Sequence, residues 1–474
     1  MSDLGLYIAA SGIQAQTIGL DSVNEDLANV NTPGYERQRV NLSPLTANQM
    51  GSGVGISSIE NVSSALANAQ AMSTGAASSS AAALSQLLST AQAAFPEPSS
   101  SGLQSQLSSF WSTWDTLGND PTNSAARQQV VDAGQLLVNS LHTASQTLAA
   151  TSAQATQQIG STLTNDNKVL GEVAQLNQSV AEAQPLGGGA ALVDQRNQLL
   201  TQLSNDLGVT TSEQPNGSVT VYLQGVMLVQ GNQAVSLRAD PSSSSLVDVY
   251  DQPTDASPLA SASAGGTVGG LGAAIGTLTS SSPTSLQSQL DAVASSLAGA
   301  VNNQLGKGYY YATGSATGTA GVPLFQTVGL PPVTAANITL NPAVAADPTE
   351  LAAASSATSG PNDGTNAQAM AELATAPTGA SGGFLPPGPA GFSSPDALYQ
   401  VFIGQLGTVV AGASASATAT ANQAKAATAA QQAISGVDPN EEMVQMLAYQ
   451  NAYQASAKAL STVNATIQSL LAAV

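Results

Sequence analysis

In the last forty residues of the chain the side chains fall three and four apart: Met446, Tyr449, Tyr453, Ser456, Leu460, Val463, Ile467, Leu470 and Val474. A 3.5-residue repeat is the seam of a coiled coil, and here only Ser456 breaks its hydrophobic character. The start of the helix is marked as well. Asp438 stands where a cap belongs, Pro439 at the first helical position, and Glu441 three residues after the cap. Glu441 and Glu442 place negative charge at the positive end of the helix dipole. With no Gly or Pro after Pro439, a helix of about 35 residues would run roughly 50 Å. Because the seam reaches the final residue, this terminus is expected to be buried against a partner.

The other end of the chain carries a matching pattern. Leu6, Ala9, Ile13, Gln16, Leu20, Val23, Leu27 and Val30 repeat the three-four spacing, with Gln16 as the polar position. It stops at Asn31-Thr32-Pro33-Gly34-Tyr35, where the proline disfavours helix at Thr32 and Pro33-Gly34 suits the centre of a type II turn. Two seams of similar length predict that the ends pair with each other or with the ends of neighbouring subunits. The alternative is an ordinary amphipathic helix at each end of a bundle. The candidate assembly residues are therefore Leu6, Ile13, Leu20, Val23, Leu27 and Val30 at one end. At the other they are Met446, Tyr449, Tyr453, Leu460, Val463, Ile467 and Leu470.

Between the seams the period changes twice. Arg37 to Leu42 reads as a strand, and the glycine cluster Gly51 to Ile56 as a turn, since it lacks the spacing of a dinucleotide fingerprint. Asn61 to Ala94 is a polar, Ala/Ser-rich helix. Leu103, Leu107, Phe110, Trp111 and Trp114 make a helical stripe that reads as core rather than a carbohydrate-stacking site. Ala125 to Ala183 and Leu192 to Leu207 are helical. From Gly208 onward short β runs (Val219–Leu223, Met227–Val229, Val235–Leu237 and Leu246–Tyr250) are separated by hairpin signals such as Asn216-Gly217. Helix returns at Leu286–Leu305 and over Ala397 to Ser435, with a strand at Asn337–Leu340 between them. The fold class expected is mainly α with a β-rich insertion, made of terminal coiled-coil helices, a helical-bundle shaft and a projecting β-containing domain. The expected division is 1–57 with 412–474 for the terminal assembly domain, 58–207 with 346–411 for the shaft, and 208–345 for the insertion.

Charge and composition exclude much chemistry. The chain has 29 acidic and 9 basic residues, a net charge of −20, which argues against nucleic acid and anionic membrane surfaces as partners. It has no cysteine, so disulfides, thiolate metal sites and thiol catalysis are out. His142 is the one histidine and has neither a second His nor a Cys to form a metal site or a triad with. Gly187-Gly188-Gly189 is followed by no Lys-Ser/Thr and is a turn rather than a phosphate cradle. Asp438, Glu441 and Glu442 form the best carboxylate cluster, and they read as helix caps. No cofactor is expected, and an enzyme is the least favoured class. Met1 to Ala10 lacks a basic n-region and cleavage site, and no stretch reads as a membrane span, so neither a cleaved signal nor membrane insertion is expected.

The run Ser22 to Gln38, with Asn31-Thr32-Pro33-Gly34-Tyr35 inside it, resembles the N-terminal signature of bacterial flagellar axial proteins. Glu441 to Val444 followed by Tyr449 to Lys458 resembles their C-terminal signature. Interior segments narrow the resemblance to hook-associated proteins of the first hook–filament junction layer. They are Ser101 to Trp111, Pro121 to Gln128, Leu192-Val193-Asp194-Gln195-Arg196 through Ser204, Gly269-Gly270-Leu271, and Leu290 to Asn302. The resemblance weakens between Asp240 and Ala264 and between Ala374 and Pro395. Glu60-Asn61 and the expanded turn Gly360 to Asn366 depart from the family pattern. It implies an extracellular flagellar subunit, exported without a cleaved signal, that polymerises through paired terminal helices loosely ordered before assembly. The partners implied are other copies of the chain, the hook protein, a second junction protein and an export chaperone at the C-terminal helix. A hook or distal rod subunit is the alternative within the class, and an extracellular adhesin-like binding protein the alternative outside it.

Overall fold

The computed structural model describes residues 2–32, 34–47, 50–184, 189–240, 246–329, 332–375 and 394–472. The chain is mainly helical, with short strands between long helices. In order, it forms α1 (Ser2–Ala28), the strands β1 (Gln38–Ala47) and β2 (Met50–Asn61), then α2 (Ala65–Gln92), α3 (Leu103–Asn119), α4 (Ser124–Ala183) and α5 (Ala190–Leu207). Seven strands follow: β3 (Thr210–Glu213), β4 (Val219–Leu223), β5 (Val226–Gln230), β6 (Gln233–Ala234), β7 (Ser236–Ala239), β8 (Leu246–Tyr250) and β9 (Ala260–Ser263). Next come α6 (Gly266–Thr279), α7 (Leu286–Leu305), β10 (Tyr309–Tyr310), β11 (Thr319–Ala320), β12 (Phe325–Thr327) and β13 (Ile338–Leu340). The chain closes with α8 (Pro342–Ala346), α9 (Thr365–Ala371), α10 (Pro395–Ser435) and α11 (Pro439–Ala472).

These elements make two compact units. The first comprises Met1–Ala81, Ile159–Gly270 and Ala417–Val474, the second Ala82–Gln158 and Leu271–Ser416. The chain passes from one to the other inside α2, α4, α6 and α10. Residues 208–345, expected as one insertion, therefore contribute 208–270 to the first unit and 271–345 to the second. The expected shaft likewise divides within α2 and α4.

Side-chain amides account for where the strands go. In the first unit Asn177 of α4 imitates a strand partner. It donates to Val219 C=O (2.7 Å) and Gly231 C=O (3.1 Å) and accepts from Val219 N–H (2.9 Å). Ten residues earlier, Asn167 does the same for Leu237, at 2.9 and 2.7 Å. The antiparallel sheets β3-β4-β5-β6 and β7-β8-β9 are thereby anchored to the C-terminal half of α4. In the second unit Asn302 of α7 accepts from Leu324 and Phe325 N–H, both at 3.0 Å, and donates to Phe325 C=O, which fixes the hairpin β12-β13.

The second unit carries a continuous apolar core. The stripe on α3 is buried as expected, with Phe110 and Trp114 wholly enclosed, and it packs with the first half of α4, α7 and the start of α10. Phe110 meets Trp111 edge-on at 5.0 Å and Trp114 at 6.3 Å. Trp111 Nε1–H donates to Asp396 Oδ2 (2.7 Å), so burial leaves that indole satisfied. His142 Nε2–H donates to the Ile338 carbonyl (2.8 Å) and tethers β13, a structural role.

Two expectations are corrected. Gly51 to Ile56 is not a turn but part of β2, which pairs antiparallel with β1 along a long hairpin. Gly53 lets the strand backbone lie on α1: a Cβ there would collide with Ser11 Oγ, which instead accepts from Val54 N–H (3.2 Å), whereas Gly55 faces Leu45 of β1. The second correction concerns apolarity. One stretch within Pro395–Ser469 is long and apolar enough, by length and composition, to cross a membrane. Val401, Phe402, Ile403, Leu406, Val409 and Val410 give it that character, and Phe402 and Leu406 lie in the apolar core of the second unit.

Candidate assembly interface

The two seams meet within one chain. α1 and α11 run antiparallel, and glycines of α1 meet α11 every seven residues: Gly5 beside Val463, Gly12 beside Ser456, Gly19 beside Tyr449. The α1 side of each contact is a glycine, so the helix backbones come together where side chains would hold them apart. A Cβ at Gly19 would sit 2.6 Å from Tyr449 Cε1, and one at Gly12 3.0 Å from Ser456 Oγ. The polar break at Ser456 is thus one of the three positions where α11 meets a glycine. This Gly5–Gly12–Gly19 heptad is legible in the sequence, although the apolar spacing drew attention to its neighbours instead.

The candidate seam residues take up these positions unevenly. Val23 is buried, while Leu6, Ile13, Leu20, Leu27 and Val30 are half-buried. Met446, Tyr449, Leu460, Val463 and Ile467 are half-buried, separated by exposed residues at most intervening positions. Tyr453 is 39% exposed. The side chain of Leu470, and Val474 altogether, lie outside the described residues. With α1 and α11 already packed together, the terminal helices do not await another subunit to find a partner. Their other faces carry exposed apolar residues: Tyr7 and Ile8 on α1, and Met443 (52% exposed), Val444 (67%) and Leu447 (59%) on α11.

The next heptad step along α1 is Asp26, and here the packing becomes electrostatic. Asp26 is fully buried, accepting from Tyr35 Oη–H (2.7 Å) and from Gln38 N–H (3.0 Å). One carboxylate thereby ties the end of α1 to the start of β1 across the turn at Gly34. Gly34 takes the φ of 77° that the sequence called for, with Gln198 packed above it. Arg37 fastens the same turn to the helix start: its N–H donates to Ser435 C=O (2.8 Å), and its guanidinium bonds Glu441 Oε2 (2.6 Å) and lies 3.9 Å from Glu442 Oε1. Asp438 caps α11 as expected, through Asn440 N–H (2.8 Å).

Burial, only partly offset by the Tyr35 and Gln38 hydrogen bonds, raises the Asp26 carboxyl above its ordinary range. Burial and then the Asp26 charge raise Glu442, against the pull of Arg37. Glu442 is thus more than a cap residue, because it is enclosed with Asp26 and Arg37 at the foot of the helix pair. Sequence reading quoted Asp26, Tyr35, Arg37 and Gln38 as a signature and gave them no role. The signal that could have found them is charge in an otherwise apolar helical stripe. A groove of about 1290 Å³ opens beside this junction, lined by amides such as Asn29, Asn68, Asn197 and Gln431. Among the described residues no group of three or more His, Cys, Asp or Glu side chains could hold a metal ion.

Residues 88–325, half of the chain, match the family model of the flagellar hook-associated protein FlgK helical domain. The chain belongs to the FlgK family. Residues 430–473, which contain α11, match the model of the flagellar basal body rod FlgEFG protein C-terminal region. Among curated relatives, flagellar hook-associated protein 1 of Salmonella typhimurium is 30% identical over 249 residues, covering 50% of this chain and 44% of the relative. The protein of the same name from Bacillus subtilis is 28% identical over 227 residues, covering 45% of each. The chain thus spans less than half the length of the curated relatives it matches. The solved structure of the flagellar hook junction protein FlgK from Burkholderia pseudomallei aligns with a TM-score of 0.61 at 19% identity. It covers 78% of this chain and 100% of that one, and carries the likeness of fold.

Proposed function

We propose that this chain is a structural subunit of the bacterial flagellum at the junction between hook and filament, and that it catalyses no reaction. The observation that carries the reading is the helix pair α1–α11. It joins the two ends of the chain in fixed register and leaves Tyr7, Ile8, Met443, Val444 and Leu447 exposed on its outer faces. A pair locked on the inside and apolar on the outside is suited to packing against copies of itself. The seam residues Leu460, Val463 and Ile467 build the pair, and the exposed residues meet the neighbouring subunit. The further partners are the hook protein, a second junction protein and an export chaperone that takes α11 before assembly. The subunit works outside the cell and is exported without a cleaved signal.

Electron microscopy of flagella from a deletion strain tests this. Hooks without filaments are expected. Missing hooks would move the chain to the rod or hook, a reading favoured by the match of residues 430–473 to the rod-protein C-terminal model. Restoring the strain with Leu447→Asp separates the faces: the variant should be secreted and folded yet fail to support filaments, because the change lies outside the α1 contact.

A further inference from the structure

Asp166 of α4 is wholly buried, and among the described residues neither of its carboxyl oxygens has a hydrogen-bond donor. The group within hydrogen-bond reach is the carboxyl of Asp206, near the end of α5, which Thr267 also contacts. Two carboxylates have no hydrogen to share, whereas a carboxyl and a carboxylate joined by one proton satisfy each other. A second carboxyl short of donors lies near the start of α5. Asp194 is enclosed there, accepting from Asn61 Nδ2–H and from the Glu36 backbone N–H, while among the described residues its Oδ2 has no donor. It faces Glu36, whose Oε2 also lacks a donor, with Asp26 and Tyr35 beyond it. Arg37 is engaged with Glu441 and Glu442, and Arg196 of α5 with Gly217 C=O (2.6 Å).

We propose that α5 is held at each end by a carboxyl group that keeps its proton in the folded chain, Asp194 against Glu36 and Asp166 against Asp206, so that α5 loosens as pH rises. All these groups lie in the first unit. Burial and then the Asp206 charge push Asp166 up to about 8, and burial and then the Glu36 charge push Asp194 up to about 7. An unfolded Asp releases its proton near pH ~3.9. Between these values the folded chain holds protons that the unfolded chain has lost. The stabilisation is therefore full below pH ~4 and is lost as pH rises, through about 7 for Asp194 and then about 8 for Asp166. Nothing in this depends on the flagellar role.

The test is amide exchange of the full-length protein between about pH 6 and pH 9, corrected for intrinsic rates and read as the opening of α5 against that of α7. Where one proton is released on opening, opening of α5 should rise about tenfold per pH unit, while α7 stays level. Asp166→Asn supplies an amide donor to Asp206 without a proton and should flatten the upper part of that slope. Asp206→Asn does the same in the reverse direction, should the first variant not fold. The wild-type protein should also show a protonated-carboxyl stretch in the infrared at pH 6.5, where ordinary Asp and Glu are ionised. Level α5 opening in the wild type, an unchanged slope in a folded Asn variant, or absence of that band would each overturn the proposal. So would protection that grows with pH and is lost on adding EDTA, since a cation would then stand in the proton's place.

Discussion

The aromatic core of the second unit and the α1–α11 pair of the first are both helical packings, and they hold together by different means. Around Phe110, Trp111 and Trp114 the side chains are large and enclosed, and the polar atom of Trp111 is matched by Asp396. Along α1 and α11 the contacts are glycine against side chain, most seam residues are only half-buried, and the foot of the pair is a knot of Asp26, Tyr35, Arg37, Glu441 and Glu442. Buried apolar area scales with stability, so the aromatic core sets the strength of its unit. Close glycine contacts and a charge knot contribute less energy and more register. A pair of this kind can fix how the ends of a chain meet while leaving apolar residues on its outside for a neighbour.

Substitutions should divide along that line. Trp114→Ala is expected to have the largest effect, about 3–5 kcal/mol as a large-to-small change in a closed core. Denaturant unfolding would show it in the second unit, with amide protection of α1 and α11 unchanged. If those helices lost protection equally, the two packings would not be separable. Gly19→Val comes next: its branched side chain meets the Tyr449 ring and should cost about 1–3 kcal/mol. That loss is expected in exchange over residues 2–28 and 439–472, with the second unit silent. Asp438→Ala removes the α11 cap and should cost about 1 kcal/mol, confined to the first turns of that helix. Glu441→Gln is expected to be smallest, under about 1 kcal/mol, since the Glu441 side chain is 63% exposed and water screens its pair with Arg37. A larger loss there than with Gly19→Val would mean the charge knot, not the glycine register, holds the ends together.

Much of this was legible in the sequence. The heptad spacing placed α1 and α11, Pro33-Gly34 ended the first and Asp438-Pro439 began the second. The Phe110–Trp114 stripe announced the second unit's core, because apolar periodicity reports directly on burial. The strand at 51–56 was not legible as such. Gly53 serves the close approach of β2 to α1, a tertiary requirement that local turn propensity cannot express. The division of 208–345 between two units falls inside α6, where no change of period or composition marks it. The charge knot was half legible: Asp438 and Glu441 announced a cap, but that Arg37 would reach Glu441 and Glu442 from about four hundred residues away is a consequence of the fold.

Antiparallel pairing of α1 with α11 in one register is the claim on which the rest stands, and the absence of cysteine from the chain allows a clean test. A Cβ at residue 12 would lie 3.6 Å from Ser456 Cβ, within the ~3.5–4.5 Å that a disulfide bridges. The double variant Gly12→Cys with Ser456→Cys, oxidised as a monomer, should close an intramolecular disulfide in nearly every molecule, seen as loss of free thiol and a faster-migrating band on a non-reducing gel. Gly12→Cys with Ile467→Cys, more than a turn out of register, should close far less. Crosslinks that formed only between molecules, or equally in both pairs, would contradict a fixed pairing of the chain's own ends.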